Sequence, residues 1–496
     1  MKKTVIIALL ALVLTSCKKF LAERSQTAVV PTTTKEFGEI LYSNGYAGTS
    51  MILQPYLVLM DDDIQCFNGE ALKENQKTIL SNGGMFQWQP DFIDLAINAG
   101  NPEINTLNSW GTYYKLIMGT NVALHYLDNS IGTDNDKKKY KGEAYTLRAL
   151  YHFQLVNLYA RPYNDSSTTP DKSPGIPLML SPDLSESLPV RATVKEVYDQ
   201  IQKDLEAGIT LLEQFKGVQP LYRMSHVAAH MLASRVYLYM EEWEKARIHA
   251  DYVLKYAPPL ANLKEWGDPF TTSMQLTGLK GVETIWCYGS QQSFTSLGTG
   301  QGYDLSPELI KSFEPGDLRN GTYFYQIPDF MKPYVTSDYS SLKYPAELSG
   351  IDLSFTMRTA EAYLNRAEAC IQLYRTKGDA GAAQLALNDL NKLRITRIDN
   401  GHFAEWTLMP GDALLAKYRE ERRRELFHEA GHRWFDLRRY GMPAIRHIYM
   451  PDLYTQQIYE LKKGDPQYTL PIPREALIRN PKLQQNQQLG GLRLPK

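Results

Sequence analysis

The sequence predicts a mainly α fold: a scaffold of tetratricopeptide-like helical hairpins with long irregular loop insertions and a few short strands. Three observations carry this. Apolar residues recur at steps of three and four over several long stretches, which marks one face of a helix. Small residues occupy positions where two such helices would meet. Tracts rich in Gly, Pro, Asn, Asp and Ser separate the helical stretches.

The chain opens with Met1-Lys2-Lys3, an apolar run from Val5 to Leu14, and then Leu14-Thr15-Ser16-Cys17. A basic start, a short apolar run and small residues before a cut describe a secretory signal. The run is about ten residues, half of the roughly 20 that a spanning helix needs. Cys17 follows the small residues directly, as the acylated Cys of a bacterial lipobox does. Residues 1–16 are therefore read as a lipoprotein signal, Cys17 as the lipidated residue, and 17–33 as a tether. Buried acyl methylenes, at about 0.8 kcal/mol each, supply the membrane anchor.

The first long helix is expected from Glu143 to Tyr159, where Ala144, Leu147, Tyr151, Leu155 and Leu158 form one stripe and Leu150, Phe153 and Val156 a second. Two stripes mean burial on most sides. It pairs with a helix in 105–130. A second pair spans about Arg223 to Ala257, turning at Glu241-Glu242. Its Ser234, Tyr237, Ala246 and Pro258 match the small, aromatic, Ala and Pro positions of a tetratricopeptide repeat. A third runs from Met357 to about Arg397 with its turn at Lys377-Gly378-Asp379. Leu414 to Leu437 reads as one further helix. The loop-rich insertions fall at about 61–104, 162–190 and 260–350, and long loops on a rigid scaffold commonly carry function.

Composition narrows the function. The chain has 496 residues, with 54 basic against 55 acidic side chains. Phosphate binding needs a basic surplus or face, so the balance argues against nucleic acid. Four Cys without regular spacing exclude a disulfide framework and a Cys-rich zinc fold.

One motif invites a catalytic reading. His428-Glu429-Ala430-Gly431-His432 satisfies H-E-x-x-H, two imidazoles one turn apart with a Glu as base. Gly431 weakens such a helix, no further ligand pattern follows, and the flanks are crowded with Arg. The pairs Glu420–Arg424 and Glu429–Arg433 read more simply as helix-supporting ion pairs. No cofactor is called for. The Gly298–Gly302 run lacks the phosphate-binding Lys, and Asp61-Asp62-Asp63 lacks calcium-loop spacing. Trp110, Trp243 and Trp434 fall in helical periodicity and read as core. Trp88, Trp266, Tyr288, Phe294 and Tyr303 fall in or beside the loop tracts, where a ring could stack on a sugar or a peptide side chain.

Six ordered segments together resemble the SusD/RagB family of Bacteroidetes outer-membrane lipoproteins. They are Cys17-Lys18-Lys19-Phe20-Leu21 after the lipobox, Gly142–Phe153 with its Leu-Arg-Ala-Leu core, Gly175-Ile176-Pro177-Leu178, Arg358–Ala369, Glu420–Arg439, and Leu470-Pro471-Ile472-Pro473 through Asn480-Pro481 with Gln485-Asn486. Lys18-Lys19 and Ala160-Arg161-Pro162 depart from the family's usual residues. The resemblance implies a single domain over 34–496. It also implies a lipid-anchored protein at the cell surface that binds a nutrient oligomer, commonly a glycan and sometimes a peptide. Such a protein acts as a lid on a SusC-like TonB-dependent outer-membrane transporter, with no covalent chemistry. By place in the loop tracts, Asp63, Trp88, Trp266, Tyr288, Phe294 and Tyr303 are the expected ligand-binding residues. A zinc peptidase and a pure repeat scaffold are the competing readings.

Overall fold

A computed structural model describes residues 31–66, 72–100, 107–183, 188–267, 274–290, 302–334, 338–343 and 353–496. The signal, Cys17, Phe294 and residues 298–301 of the Gly-rich run lie outside the described residues. Ten described helices have eight or more residues: α1 (Leu72–Phe86), α2 (Ser109–Tyr126), α3 (Asp134–Tyr159), α4 (Val194–Leu212), α5 (His226–Tyr239), α6 (Trp243–Tyr256), α7 (Thr359–Lys377), α8 (Ala380–Arg394), α9 (Gly411–Leu426) and α10 (His432–Arg439).

Helices α2 to α8 stack in sequence order, each against its neighbour, as a tetratricopeptide-like array, and α9 packs back against α7. Side-chain caps fix where they start. Thr133, Ser225 and Asp379 accept the backbone N–H three residues on, and Thr193 and Glu196 form a reciprocal capping box at α4. Ala229, Ala233, Ala246 and Ala250 are all fully buried between paired helices. Gly208 lets α4 approach α3: an added Cβ would lie 2.4 Å from Thr146 Oγ1. The three expected hairpins are present as α2–α3, α5–α6 and α7–α8.

Three expectations need correction. The tract 61–104 contains α1 and a helix at Phe92–Asn98. Asn82-Gly83-Gly84 of this tract sits inside α1, where a Cβ added at Gly84 would lie 3.3 Å from Leu95 Cβ. Helix α4 was not anticipated. Leu414–Leu437 is not one helix: α9 stops at Leu426 and α10 starts at His432.

Among the described residues eight short strands form four antiparallel pairs: β1 (Ile64–Cys66) with β3 (Tyr303–Leu305), β2 (Thr284–Tyr288) with β6 (Phe355–Arg358), β4 (Phe324–Gln326) with β5 (Tyr339–Ser341), and β7 (Ile445–Tyr449) with β8 (Gln457–Leu461). The β1–β3 pairing brings the tracts 61–104 and 260–350 together, with Gln65 opposite Asp304. No described helix is long and apolar enough to cross a membrane.

Candidate ligand-binding site

The H-E-x-x-H segment lies in a buried turn, not on a helix. His428, Ala430 and Gly431 have φ of 58°, 47° and 72°, the left-handed region that costs L-residues energy. At Gly431 a Cβ would also lie 2.5 Å from Leu57 Cδ1, so this position needs glycine. Lys343 Nζ donates to Glu429 Oε1 at 2.6 Å, and Arg358 donates to both its oxygens at 2.8 Å. Burial alone would raise the Glu429 pKa, but Arg358 and Lys343 outweigh it and hold the carboxylate low. Burial, with Lys343 nearby, pushes His428 down to about 3; burial also takes His432 to about 3. The Glu is thus consumed by two cations. Among the described residues no group of three His, Cys, Asp or Glu could hold a metal ion.

The turn belongs to a buried ion network. Glu425 Oε1 accepts from Arg358 at 2.6 Å and from Arg397 and Tyr323 at 2.9 Å; Oε2 accepts from Arg397 at 3.0 Å and Arg319 at 3.1 Å. Glu283 bridges Arg397 and Arg358, and Glu421 bridges Arg319 and Arg424. On the other side of α9, Arg422 and Arg439 share Asp436, and Arg439 continues to Glu368. These side chains are buried almost completely. The expected i,i+4 pairs are not the ones formed. With α9 ended at Leu426, Glu429 turns to Lys343 and Arg358, and Arg433 turns to Asp62.

Two arginines carry this network forward to β1. Arg423 Nε donates to Asp63 at 2.6 Å, and Arg433 donates twice to Asp62 at 2.6 and 2.8 Å. In front of them β1, the start of the helix Pro307–Ser312 and β7 frame a cleft of about 450 Å³. Gln65, Glu308 and Arg446 offer planar hydrogen-bonding groups, while Ile64, Pro307 and Ile448 give apolar wall. Strand β7 alternates buried and exposed, so Arg446 and Ile448 face out while His447 faces in. His447 is fixed behind the cleft, stacked between Phe86 and Trp88 at 4.1 Å from each ring centroid. Its ring nitrogens lie 2.8 Å from the carbonyl oxygens of Phe86 and Asp61. Mixed apolar wall and convergent polar groups suit a polar oligomer bound without chemistry.

The anticipated ligand residues fall differently. Asp63, Trp88 and Tyr303 do gather behind this cleft, but as its support. Trp88 Nε1 donates to Met60 O at 2.8 Å, and Tyr303 OH to Ile79 O at 3.0 Å. Tyr288 stacks on Trp286 within β2, and Trp266 joins a core with Leu263 and Leu276. Open stacking faces were expected at Trp88, Trp266, Tyr288 and Tyr303; all four rings are buried. Burying a large ring removes apolar area from water, and a loop-side position in the sequence does not set which way the ring turns. Phe294 lies outside the described residues. The open rings are others: Tyr454 at 91% exposure on the β7–β8 connection, and Tyr334 at 84% and Phe330 at 76% on the β4–β5 connection. Sequence reasoning missed them. Their signal was the turn chemistry around them, Pro328-Asp329, Lys332-Pro333 and Pro451-Asp452, which holds a side chain at a loop tip.

Comparison with known proteins places this geometry. A SusD-like family model described as starch-binding and associating with the outer membrane matches residues 49–238. The SusD family model matches residues 343–489. No curated protein matches the chain at a significant level. Among solved structures, a SusD superfamily protein from Bacteroides thetaiotaomicron VPI-5482 superposes with a TM-score of 0.70 at 22% identity, covering 92% of this chain and 100% of that one. A SusD-like carbohydrate binding protein from Bacteroides vulgatus ATCC 8482 gives 0.65 at 20% identity, covering 91% and 97%. A SusD superfamily protein from Bacteroides fragilis gives 0.65 at 22% identity, covering 91% and 99%.

Proposed function

The chain belongs to the SusD/RagB family, and from that premise we propose that it captures a nutrient oligomer, a glycan first of all, in the cleft of β1 and β7. It then delivers the oligomer to a SusC-like TonB-dependent transporter in the outer membrane, to which a lipid on Cys17 tethers it on the cell surface. The observation that carries the reading is the cleft itself: planar side chains at Gln65, Glu308 and Arg446 beside apolar wall, on a rigid buried support. The outer-membrane and starch-binding description of the matching family model favours a glycan. The role is binding and handover, with no bond made or broken. Glu429, the base that the H-E-x-x-H reading would need, is locked between Lys343 and Arg358.

An oligopeptide is the second reading, favoured by the exposed Ile448, which an apolar side chain of a peptide could cover. The test is an oligosaccharide and oligopeptide panel on the tag-free mature chain, followed by calorimetry on the hits. Saturable glycan binding weakened by Arg446→Ala supports the glycan reading. Binding restricted to peptides moves the ligand class to the second reading. Silence across both panels removes the cleft as a nutrient site.

A further inference from the structure

A second pocket lies apart from the cleft and shares no lining residue with it. Helix α2, the chain at Pro177–Met179 and Leu188–Pro189, and the C-terminal helix Arg474–Arg479 line an open pocket of about 440 Å³. Hydrogen bonds tie α2 to the chain at 177–179 and Asn480 to the chain at 188–189. Tyr114 OH donates to Pro177 O at 2.8 Å, Asn121 Nδ2 to Met179 O at 3.0 Å, and Asn480 Nδ2 to Pro189 O at 2.7 Å. A frame tied in this way is preformed, and its volume is within the range that takes small ligands.

The lining states the ligand's chemistry. Trp110, Met118, Met179 and Leu483 make the walls apolar. The two methionines are unbranched and polarisable, so they adapt to an aromatic or aliphatic body. Trp110 is held by edge contact with Tyr159 at 5.0 Å between centroids. The charges at the rim cancel: Arg479 Nη2 lies 2.5 Å from Glu475 Oε1. Asn108 uses its Oδ1 to accept Gly111 N–H at 2.9 Å, which leaves its NH₂ as the donor on this wall. A charged ligand would find no uncompensated partner, and a fully polar one would leave the walls dry.

We propose that this pocket binds an uncharged, largely apolar small molecule carrying one hydrogen-bond acceptor for Asn108. This site is independent of the nutrient cleft and of the ligand class proposed there. The probe for the test is 6-propionyl-2-(dimethylamino)naphthalene, an uncharged, largely apolar fluorophore whose ketone is the acceptor, titrated into the whole mature chain. The expected result is saturable binding at one site with quenching of Trp emission. Met118→Trp and Ala476→Trp each fill the pocket from a different wall and should each weaken the probe at least tenfold, with the thermal midpoint held. Binding that survives undiminished in both folded variants overturns the proposal, as does the absence of saturable binding to the unsubstituted chain. Neither result bears on the cleft, whose ligand is measured separately.

Discussion

The α5–α6 hairpin and the α9–α10 turn solve the same problem, joining two helices in the interior, by opposite means. The hairpin uses alanines, leucines and valines at helical spacing, so its energy comes from apolar area removed from water. The turn uses charge: Glu425 alone accepts hydrogen bonds from three arginines and a tyrosine. Apolar packing is non-directional and tolerates substitution by shape. A buried ion pair is directional, and removing one partner leaves the other without compensation. The hairpin should therefore degrade gradually under mutation and the turn abruptly. This separation also sorts support from the proposed function: the charged turn holds the back of the cleft, and the exposed side chains in front are the ones proposed to bind.

The largest expected effect follows. Glu425→Gln keeps the shape and removes the charge that Arg358, Arg397 and Arg319 share. It should cost about 3–5 kcal/mol, read as the shift in a denaturant midpoint. A loss under about 1 kcal/mol would mean the network is not what holds the turn.

Acid tests the same side of the comparison. Glu361, Glu421 and Asp436 are held down to about 2 by their arginines against the opposing effect of burial. His428 and His432 are held at about 3, from an ordinary value of 6.5. In each case the folded state binds protons less readily than the unfolded chain. The stability contributed by these groups is therefore complete above about pH 6.5. It falls first as unfolded histidines charge, then more steeply below about pH 4 as unfolded carboxylates take up protons, down to about 2. A thermal midpoint that stayed flat from pH 7 to 4 would contradict the buried neutral histidines.

On the apolar side, Gly208→Ala forces a Cβ against Thr146 between α3 and α4. Overpacking of this kind costs about 1–3 kcal/mol. The smallest expected effects are at the front and at the H-E-x-x-H segment. Arg446→Ala removes an exposed side chain and should change stability by less than about 0.5 kcal/mol. Adding a chelator should leave the thermal midpoint unchanged, and a drop on chelation would reopen the metal reading.

The two regions also differ in how much the sequence told. Ser234, Tyr237, Ala246 and Pro258 announced the α5–α6 hairpin because helical spacing is a local property. Helix α4 carried an equally readable signal, the Thr193–Glu196 capping box before Val194, Val197, Tyr198 and Ile201, that was passed over. The α9–α10 turn was misread because charge on a helix-like stretch ordinarily means solvent. Its partners, Lys343, Arg358, Glu283 and Arg397, come from distant segments that no local pattern connects. The cleft was legible only as a region. Loop tracts located Asp63, Trp88 and Tyr303 near it, yet the direction of each ring depended on tertiary packing. Arg446 and Ile448 lay on a strand, β7, outside every loop tract considered.

The most direct test is titration calorimetry of the mature chain with the oligosaccharide that the panel selects, compared with Arg446→Ala under the same conditions. The account predicts at least tenfold weaker binding in the variant at an unchanged thermal midpoint. Equal affinity in the two proteins would place the ligand elsewhere and contradict the assignment of the cleft.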